Sequence, residues 1–464
     1  MVTVDEYLDE VLSPSRTIRA YLLRGTAVDM DAPGDVQSVT GLDGTVDEAR
    51  TDWDALMDGR TSEGAVFGMS GTVSIRLTFS GSHSCPLTIY ADGTAVSVTW
   101  RGSDLSAVET LTGTAYKDYW SVPAPSSAGA VLDVTVTGTS IRELVFGDAV
   151  PLLDGVTHIE WDEEQADINE RWTVNELTVR MSLGPDAEDP VRMTDWLWLS
   201  MDVVCPTGTV RVPCGRWYVD DVKRTMDEAI ITAYDARWLL NIDIDPDIWD
   251  GTTSLNVAEL CALLGVPWRN NAGGDGPVIT PFMADSGTWS EAVWRACMVK
   301  LMAVYVSGDG TVSTTFYETS FSDFPTEPPE GELAPLSRTM TRAMLFGRVS
   351  WDRQEYYDRI RITWPTGEAF QGGEGRFYDL ILPNSPSVFR VPRAKYYPRY
   401  HLEWMGDPQW SPIDCGCSPP VDLASDIPGV PSGPLGVDRV EHVFDGGYRQ
   451  RIRFYASRDN IPNP

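Results

Sequence analysis

Alternation of apolar and polar residues at every second position dominates this chain, and helical spacing is confined to a few short stretches. Such alternation turns one face of an extended strand to a core and the other to water, so the sequence must fold by pairing strands. Runs that alternate in this way, or that are short apolar stretches of strand length, are Val73–Phe79, Leu87–Tyr90, Val131–Val136, Thr157–Trp161, Glu176–Ser182, Arg216–Val219, Ala229–Tyr234, Asp358–Thr363, Phe377–Leu382, Val440–Phe444 and Gln450–Tyr455. From about Val39 to Phe146 the runs are rich in Thr, Val, Ser and Gly, and Asp43-Gly44, Asp58-Gly59 and Asp92-Gly93 read as turns. That stretch reads as a self-contained β-sandwich.

The helical exceptions announce themselves by their caps. Thr3 and Glu6 have capping-box spacing ahead of Tyr7, Leu8, Val11 and Leu12, and Pro14 stops the helix. Asp235 opens a helical turn through Leu240. Asn256 caps a second helix with Val257, Leu260 and Leu264 on one face, and Gly265 and Pro267 end it. Thr288 and Glu291 box a third, with Val293, Ala296, Cys297 and Leu301 inward. A hairpin from Val304 to Tyr317 follows, turning at Gly308-Asp309-Gly310. Residues 321–337 and the Pro/Gly-rich stretch 404–436 read as a loop and an extended connection.

At 464 residues the chain exceeds one hydrophobic core, which implies roughly two to four domains. With 42% hydrophobic and 10% aromatic residues it can fill such cores, and disorder is excluded as its general state. There are 36 basic against 68 acidic residues, a net charge of −32, which repels nucleic acid and anionic membrane. From Arg390 onward the signs balance, so the acidic surplus lies upstream. Only four lysines occur, which makes nearly all the positive charge guanidinium, suited to fixed carboxylate pairing.

Seven scattered cysteines form no disulfide framework and read as reduced core residues; Cys415 and Cys417 lack the further ligands of a zinc site. The N-terminus has no basic-then-apolar leader pattern, and no apolar run reaches the length of about 18 residues needed to span a membrane.

The sequence carries none of the common catalytic signatures. Gly68-Met-Ser-Gly71 lacks nucleophile-elbow spacing, no phosphate-binding loop is present, and His83, His158, His401 and His442 fall in no metalloprotease pattern. Asp243, Asp245, Asp247 and Asp250 alternate as calcium ligands do, but Pro246 interrupts them and Ser254 stands where a bidentate Glu belongs, so they read as a solvated, helix-capping loop. Neither an enzyme, a cofactor nor a metal site is expected.

Two segments carry a resemblance. Gly215-Arg-Trp-Tyr-Val-Asp-Asp-Val222 with Ile230-Ile-Thr-Ala-Tyr-Asp235, and Ala292 to Glu318 with its Asp309-Gly310 turn, resemble bacteriophage tail hub (baseplate hub, tail-associated) proteins. Over residues 1–27 and 150–464 the resemblance implies a mainly β fold with a small helical part (α+β). The first hub β-barrel would comprise 1–35 and 151–240, a helical domain with hairpin 241–335, and a second barrel with the C-terminal segment 336–464. It further implies a homotrimer in the virion tail tip, assembled in the host cytoplasm and bordering a channel through which DNA passes unbound. The partners implied are the tail tube or distal tail protein, the tape measure protein, and tail fibre or receptor-binding proteins.

Residues 36–150 depart from that pattern. Leu56–Thr61, Val73–Phe79, Trp120–Pro125 and Ile141–Gly147 resemble an inserted discoidin or galactose-binding-like sandwich, which would make a host cell-wall glycan a further partner. Trp100 and Trp120 are the expected glycan-stacking rings. Ending near Val36 and Val150 between two parts of one β domain, the insertion is expected to be dispensable for the barrel.

Overall fold

The structure is a computed structural model. It describes the chain except residues 1, 3, 14, 30–31, 34, 43, 60, 62–63, 70, 117–118, 153–154, 165–173, 185–189, 272–273, 284–285, 301, 317–337, 341–343, 353–358, 365, 373–376, 382–398, 408–420, 424–432 and 457–464. The loop expected at 321–337, Cys415 and Cys417, and most of 404–436 therefore lie outside the described residues, as do Thr3, Leu301, Tyr317, Asp358 and Leu382. The fold is mainly β with a small helical part, as the sequence predicts. The chain divides into two compact units.

The first unit comprises Met1–Thr157, Val179–Cys214 and Val219–Ile231. Helix α1 (Val4–Val11) buries Tyr7 and Val11 against Val203, Cys205 and Val212. Strand β1 (Thr17–Val28) leads to β2 (Val36–Gly41), a 3-10 turn (Trp53–Met57), β3 (Val66–Phe67), β4 (Val73–His83) and β5 (Leu87–Arg101). Then come β6 (Ala107–Thr112), β7 (Thr114–Ala115), β8 (Trp120–Val122) and β9 (Gly129–Pro151). Val73, Ile75, Leu77, Val96, Val98, Trp100, Leu132, Val134 and Val136 enclose a sandwich core, each at the alternate position its strand predicts.

Strand β9 organises this unit. It pairs with β4 from Gly129 to Val136 and with β5 from Val131 to Phe146, and its end pairs with β1, from Leu23↔Pro151 to Val28↔Gly147. One unbroken strand thus runs through residue 150, where the sequence suggests the insertion ends. Its other face contributes Val145 and Ala149 to a small core with Tyr21 and Leu23.

The expected turn at Asp92-Gly93 is instead a bulged point inside β5. Gly93 and Gly138 cross there so closely that a β-carbon on Gly93 would sit 2.6 Å from Val136 and 2.7 Å from the Thr137 carbonyl. Two facing glycines let the backbones approach, so the turn-like pair marks a kink in a continuing strand.

Beyond β10 (Val156–Glu164) and β11 (Glu176–Ser182), strand β12 (Trp196–Cys205) pairs with β1 from Thr17↔Val204 to Arg24↔Leu197. Strands β13 (Gly208–Arg224) and β14 (Glu228–Tyr234) complete the series.

The second unit comprises His158–Thr178, Gly215–Tyr218 and Thr232–Pro464. Its helical part contains a 3-10 turn (Ala236–Leu240), β15 (Leu255–Asn256), α2 (Val257–Leu263), β16 (Trp268–Asn270), β17 (Val278–Ile279), α3 (Trp289–Val299), β18 (Met302–Val306) and β19 (Val312–Phe316). The caps lie where the spacing predicts: Asn256 accepts from Ala258 N–H, and Thr288 from Glu291 N–H. Leu240, Val257, Leu260, Trp289, Val293, Cys297 and Val304 fill its core.

The remaining strands are β20 (Arg338–Met340), β21 (Leu345–Asp352), β22 (Arg359–Trp364), β23 (Gly367–Gly372), β24 (Phe377–Ile381), β25 (Arg399–Trp404), β26 (Val421–Leu423), β27 (Gly433–Phe444) and β28 (Tyr448–Ala456). Pairing runs β21-β25-β28-β27-β10, with β22, β23 and β24 in a separate sheet.

Candidate functional site

The Tyr234-Asp235 end of β14 is built as a capped strand-to-helix junction. Asp235 has extended backbone geometry and accepts from Arg237 N–H at 2.8 Å, so the chain enters its 3-10 turn with a satisfied first donor. The same carboxylate takes the Arg237 guanidinium at 3.1, 3.0 and 2.6 Å, and Arg237 has no solvent exposure. Asn175 N–H donates to Asp235 at 2.8 Å while the Asp235 N–H donates to the Asn175 carbonyl at 3.2 Å. Asp162 lies next along this chain of contacts and accepts from Glu176 N–H at 2.7 Å. Burial, opposed by that hydrogen bond and by Arg439, pushes its pKa up to about 6. The sequence gives Asp235 away by its place before a helix; Asn175 and Asp162 carry no comparable signal.

The second signature segment meets the first. Gly310, in the hairpin turn at φ +78°, lies against Arg216, where a β-carbon would come within 2.5 Å of the Arg216 Cβ and 3.2 Å of its backbone nitrogen. Asp309 shapes the turn by accepting from Ser307 Oγ at 2.6 Å and Thr311 N–H at 2.9 Å, and it pairs with Arg269 at 2.8 Å. Only a glycine permits this approach.

A third constellation lies in the first unit. Arg211 of β13 makes a bidentate pair with Asp202 of β12 at 2.7 and 2.7 Å, donates to the Met57 carbonyl at 2.6 Å, and covers the Tyr21 ring at 3.5 Å. Tyr21 in turn donates to Glu143 of β9 at 3.4 Å. Burial, with the Asp58 charge nearby, raises the Glu143 carboxyl well above the usual carboxylate range. These residues come from β1, the Trp53–Met57 turn, β9, β12 and β13, and nothing in the linear sequence links them.

Beside Arg211 opens a cleft of about 290 Å³. Its walls are Arg19, Val36 to Val39, Trp53, Met57, Asp58 and Thr209 among others. Arg19 stands directly across from Asp202 in the β1–β12 register.

Of the two rings expected to stack on a glycan, Trp100 is fully enclosed in the sandwich core, its ring 6.1 Å from Phe79, and it offers no face to a sugar. This corrects the expectation for Trp100. The signal was available, since Trp100 continues the inward alternation of Val96 and Val98. Trp120 is half-buried against the same core.

The acidic loop spends its oxygens on local backbone: Asp245 accepts from Asp247 N–H at 2.9 Å, and Asp250 from Thr252 N–H at 2.9 Å. His83 bridges Asp29 and Asp35, both at 3.1 Å, and His442 is buried with Tyr448 at 2.7 Å. Cys85, Cys205, Cys214, Cys261 and Cys297 are buried thiols.

No protein-family model matches the chain, and no curated protein matches it significantly. Among solved structures it is similar to the 43 kDa tail protein of prophage MuSo2 from Shewanella oneidensis, with 14% identity, 65% of this chain and 92% of that one covered, and a TM-score of 0.42. It is similar to the tail protein from Neisseria meningitidis MC58 at 10% identity, 68% and 96% coverage and a TM-score of 0.42. A third is the c3393 protein of E. coli, described as a type VI secretion component similar to T4 bacteriophage tail proteins, with 10% identity, 67% and 76% coverage and a TM-score of 0.34.

Proposed function

We propose that the chain is a structural hub of a bacteriophage tail tip or baseplate, joining the tail tube to the tip and host-recognition proteins. The observation that carries this reading is the contact between Gly310 and Arg216: the two segments that resemble tail hub proteins are far apart in the sequence, and they pack on one another. The capped Asp235 junction adds to it, because the Tyr-Asp pair serves the strand-to-helix role the resemblance assigns.

In this reading the chain acts by shape and assembly, not catalysis, as a homotrimer around a DNA channel. Two carboxyl groups raised by burial, Glu143 and Asp162, serve packed strands, which favours a structural use. A net charge of −32 per chain withholds the counterion release that holds DNA to basic surfaces, which suits a conduit.

Native mass spectrometry of the purified chain and an electron-microscopy map of the particle containing it test the proposal. A trimer at the tail tip is expected. A symmetric dimer, or absence from the tail, overturns it.

A second reading, adhesion to a host glycan, is favoured by the half-buried Trp120 and by the cleft beside Arg211.

A further inference from the structure

We propose that the outer edge of β6 and β7 is completed by an extended, uncharged segment of another protein, added as one more strand to the sandwich sheet. Pairing sets the order β2-β4-β9-β5-β6, so this sheet has two edges. One edge, β2, borders the cleft beside Arg211 through Val36 to Val39, with residues of β1, β12 and β13 across it. The other lies open. Among the described residues β6 pairs only with β5 and β7 only with β8, and no main-chain bond reaches their outer side.

The ladder fixes which groups are left over. Gly113 N–H donates to the Val96 carbonyl at 2.9 Å, so Leu111 and Glu109, two and four residues back, also turn their backbone groups to β5. Thr110 and Thr112 therefore direct N–H and C=O outward, where an added strand would take them. Open edges are ordinarily guarded by proline, lysine, a charge or a covering segment, because such a row of donors and acceptors invites pairing. From Ala107 to Ala115 there is no Pro, Lys or Arg, and the one charge, Glu109, is held by Ser126 N–H at 2.6 Å and Ser126 Oγ at 2.8 Å. The only irregularity is a bulge where the edge begins, at Arg101 opposite Ala107.

Apolar surface gathers on the same edge. Of the eight large apolar side chains exposed among the described residues, Leu105, Val108 and Tyr116 lie along it. Leu105 is exposed at a φ of +66°, a strained conformation for leucine, and Arg101 fixes it there by donating to its carbonyl at 2.9 Å. At the far end Tyr116 stacks on Tyr119 with ring centroids 5.0 Å apart, a flat apolar platform.

This chemistry selects the partner. A charged side chain laid beside the edge would lose water and gain no counter-charge, since Glu109 is already engaged. Uncharged β-branched residues, by contrast, form favourable cross-strand pairs with Val108, Thr110 and Thr112. A second copy of the chain does not fit. Edge-to-edge pairing of identical strands needs a twofold axis, which the trimer proposed above lacks, and β2 of a neighbouring copy faces its own cleft.

The test selects, on the intact chain, from a random library of displayed peptides about ten residues long. Enriched peptides should carry Val, Ile or Thr at alternate positions and few charges, and their binding should be unchanged between about 0.05 and 0.5 M salt. Thr110→Lys, at an exposed position, should weaken binding about tenfold or more and keep the parent melting temperature. Thr112→Pro, which removes one outward donor and no bond to β5, should weaken it as well. Residue-resolved hydrogen exchange adds a signature that docking elsewhere would not give: peptide slows Thr110 and Thr112, while Leu111 and Gly113 are protected without it. The proposal is overturned if no peptide is enriched, if the enriched peptides are charged and salt-sensitive, or if binding survives both substitutions. Those results leave the trimer standing. A dimer in native mass spectrometry that Thr110→Lys dissolves would show self-pairing, and would overturn both this proposal and the trimer.

Discussion

Gly310 rests on the backbone of Arg216, with the Arg216 nitrogen 3.2 Å from where a β-carbon of residue 310 would lie. A turn residue thereby becomes a packing residue. Gly310→Ala meets both a left-handed backbone at φ +78° and a collision with Arg216, whereas Gly446→Ala meets only a left-handed backbone at φ +92° with open space around it. The backbone strain alone is worth about 1–3 kcal/mol, so urea unfolding should show Gly446→Ala losing about that and Gly310→Ala clearly more. Equal losses would mean that the hairpin can move off Arg216 freely.

Asp235 and Arg237 are a fully enclosed ion pair, and removing one member strands the other. Asp235→Ala should cost about 3–5 kcal/mol in denaturant unfolding. The double replacement Asp235→Leu with Arg237→Met should recover much of that, because no uncompensated charge remains. A double variant as unstable as the single one would show that the junction depends on the Asp235 cap more than on the pair.

Asp162 predicts a pH dependence whose sign follows from its raised pKa. Its folded value is about 6, against about 3.9 for an ordinary aspartate. Between those values the folded chain holds a proton that the unfolded chain has released, so stability falls as pH rises from about 4 to about 6 and stays lower above. Asp162→Asn keeps the oxygen that accepts from Glu176 N–H and removes the titration. Thermal melting across that range should be flatter for Asp162→Asn, and the variant should exceed the parent at pH 8 by on the order of 2–3 kcal/mol. A steeper slope in the variant would contradict the burial argument.

Trp100 should behave as a core residue. Trp100→Ala should cost about 3–5 kcal/mol and open hydrogen exchange in the strands around Leu77, Val98 and Val134, while half-buried Trp120 should cost less. Retention of full stability by Trp100→Ala would place that ring outside the core.

The elements that the sequence discloses most fully are those with local causes. The helix starts at Asn256 and Thr288 and the junction at Asp235 each follow from one side chain meeting a nearby N–H, and both ends of that interaction lie within a few residues. The Gly308-Asp309-Gly310 turn is legible for the same reason. What it packs on is not, because Arg216 is distant in the chain. The same applies to Arg211, whose partners Asp202, Met57, Tyr21 and Glu143 are assembled by strand register alone. Asp92-Gly93 misleads because a turn pair and a bulge need the same backbone freedom, and the facing glycine at 138 decides between them. The insertion likewise looks separable in sequence, yet its excision would remove the Met57 carbonyl from Arg211, Glu143 from Tyr21, and strand pairing from β1.

Strand β9 gives the sandwich a mechanical property. As one strand from Gly129 to Pro151, it spans on the order of 70 Å of backbone, kinked at Gly138, and stays paired from the sandwich core through to β1. A pull on the sandwich along this strand would load the hydrogen bonds to β1, β4 and β5 in shear, many at once, instead of peeling them one by one. The sandwich is thus coupled to β1 as a spoke is to a rim: it can transmit tension and torque, and a swivel there would first have to break the strand pairing.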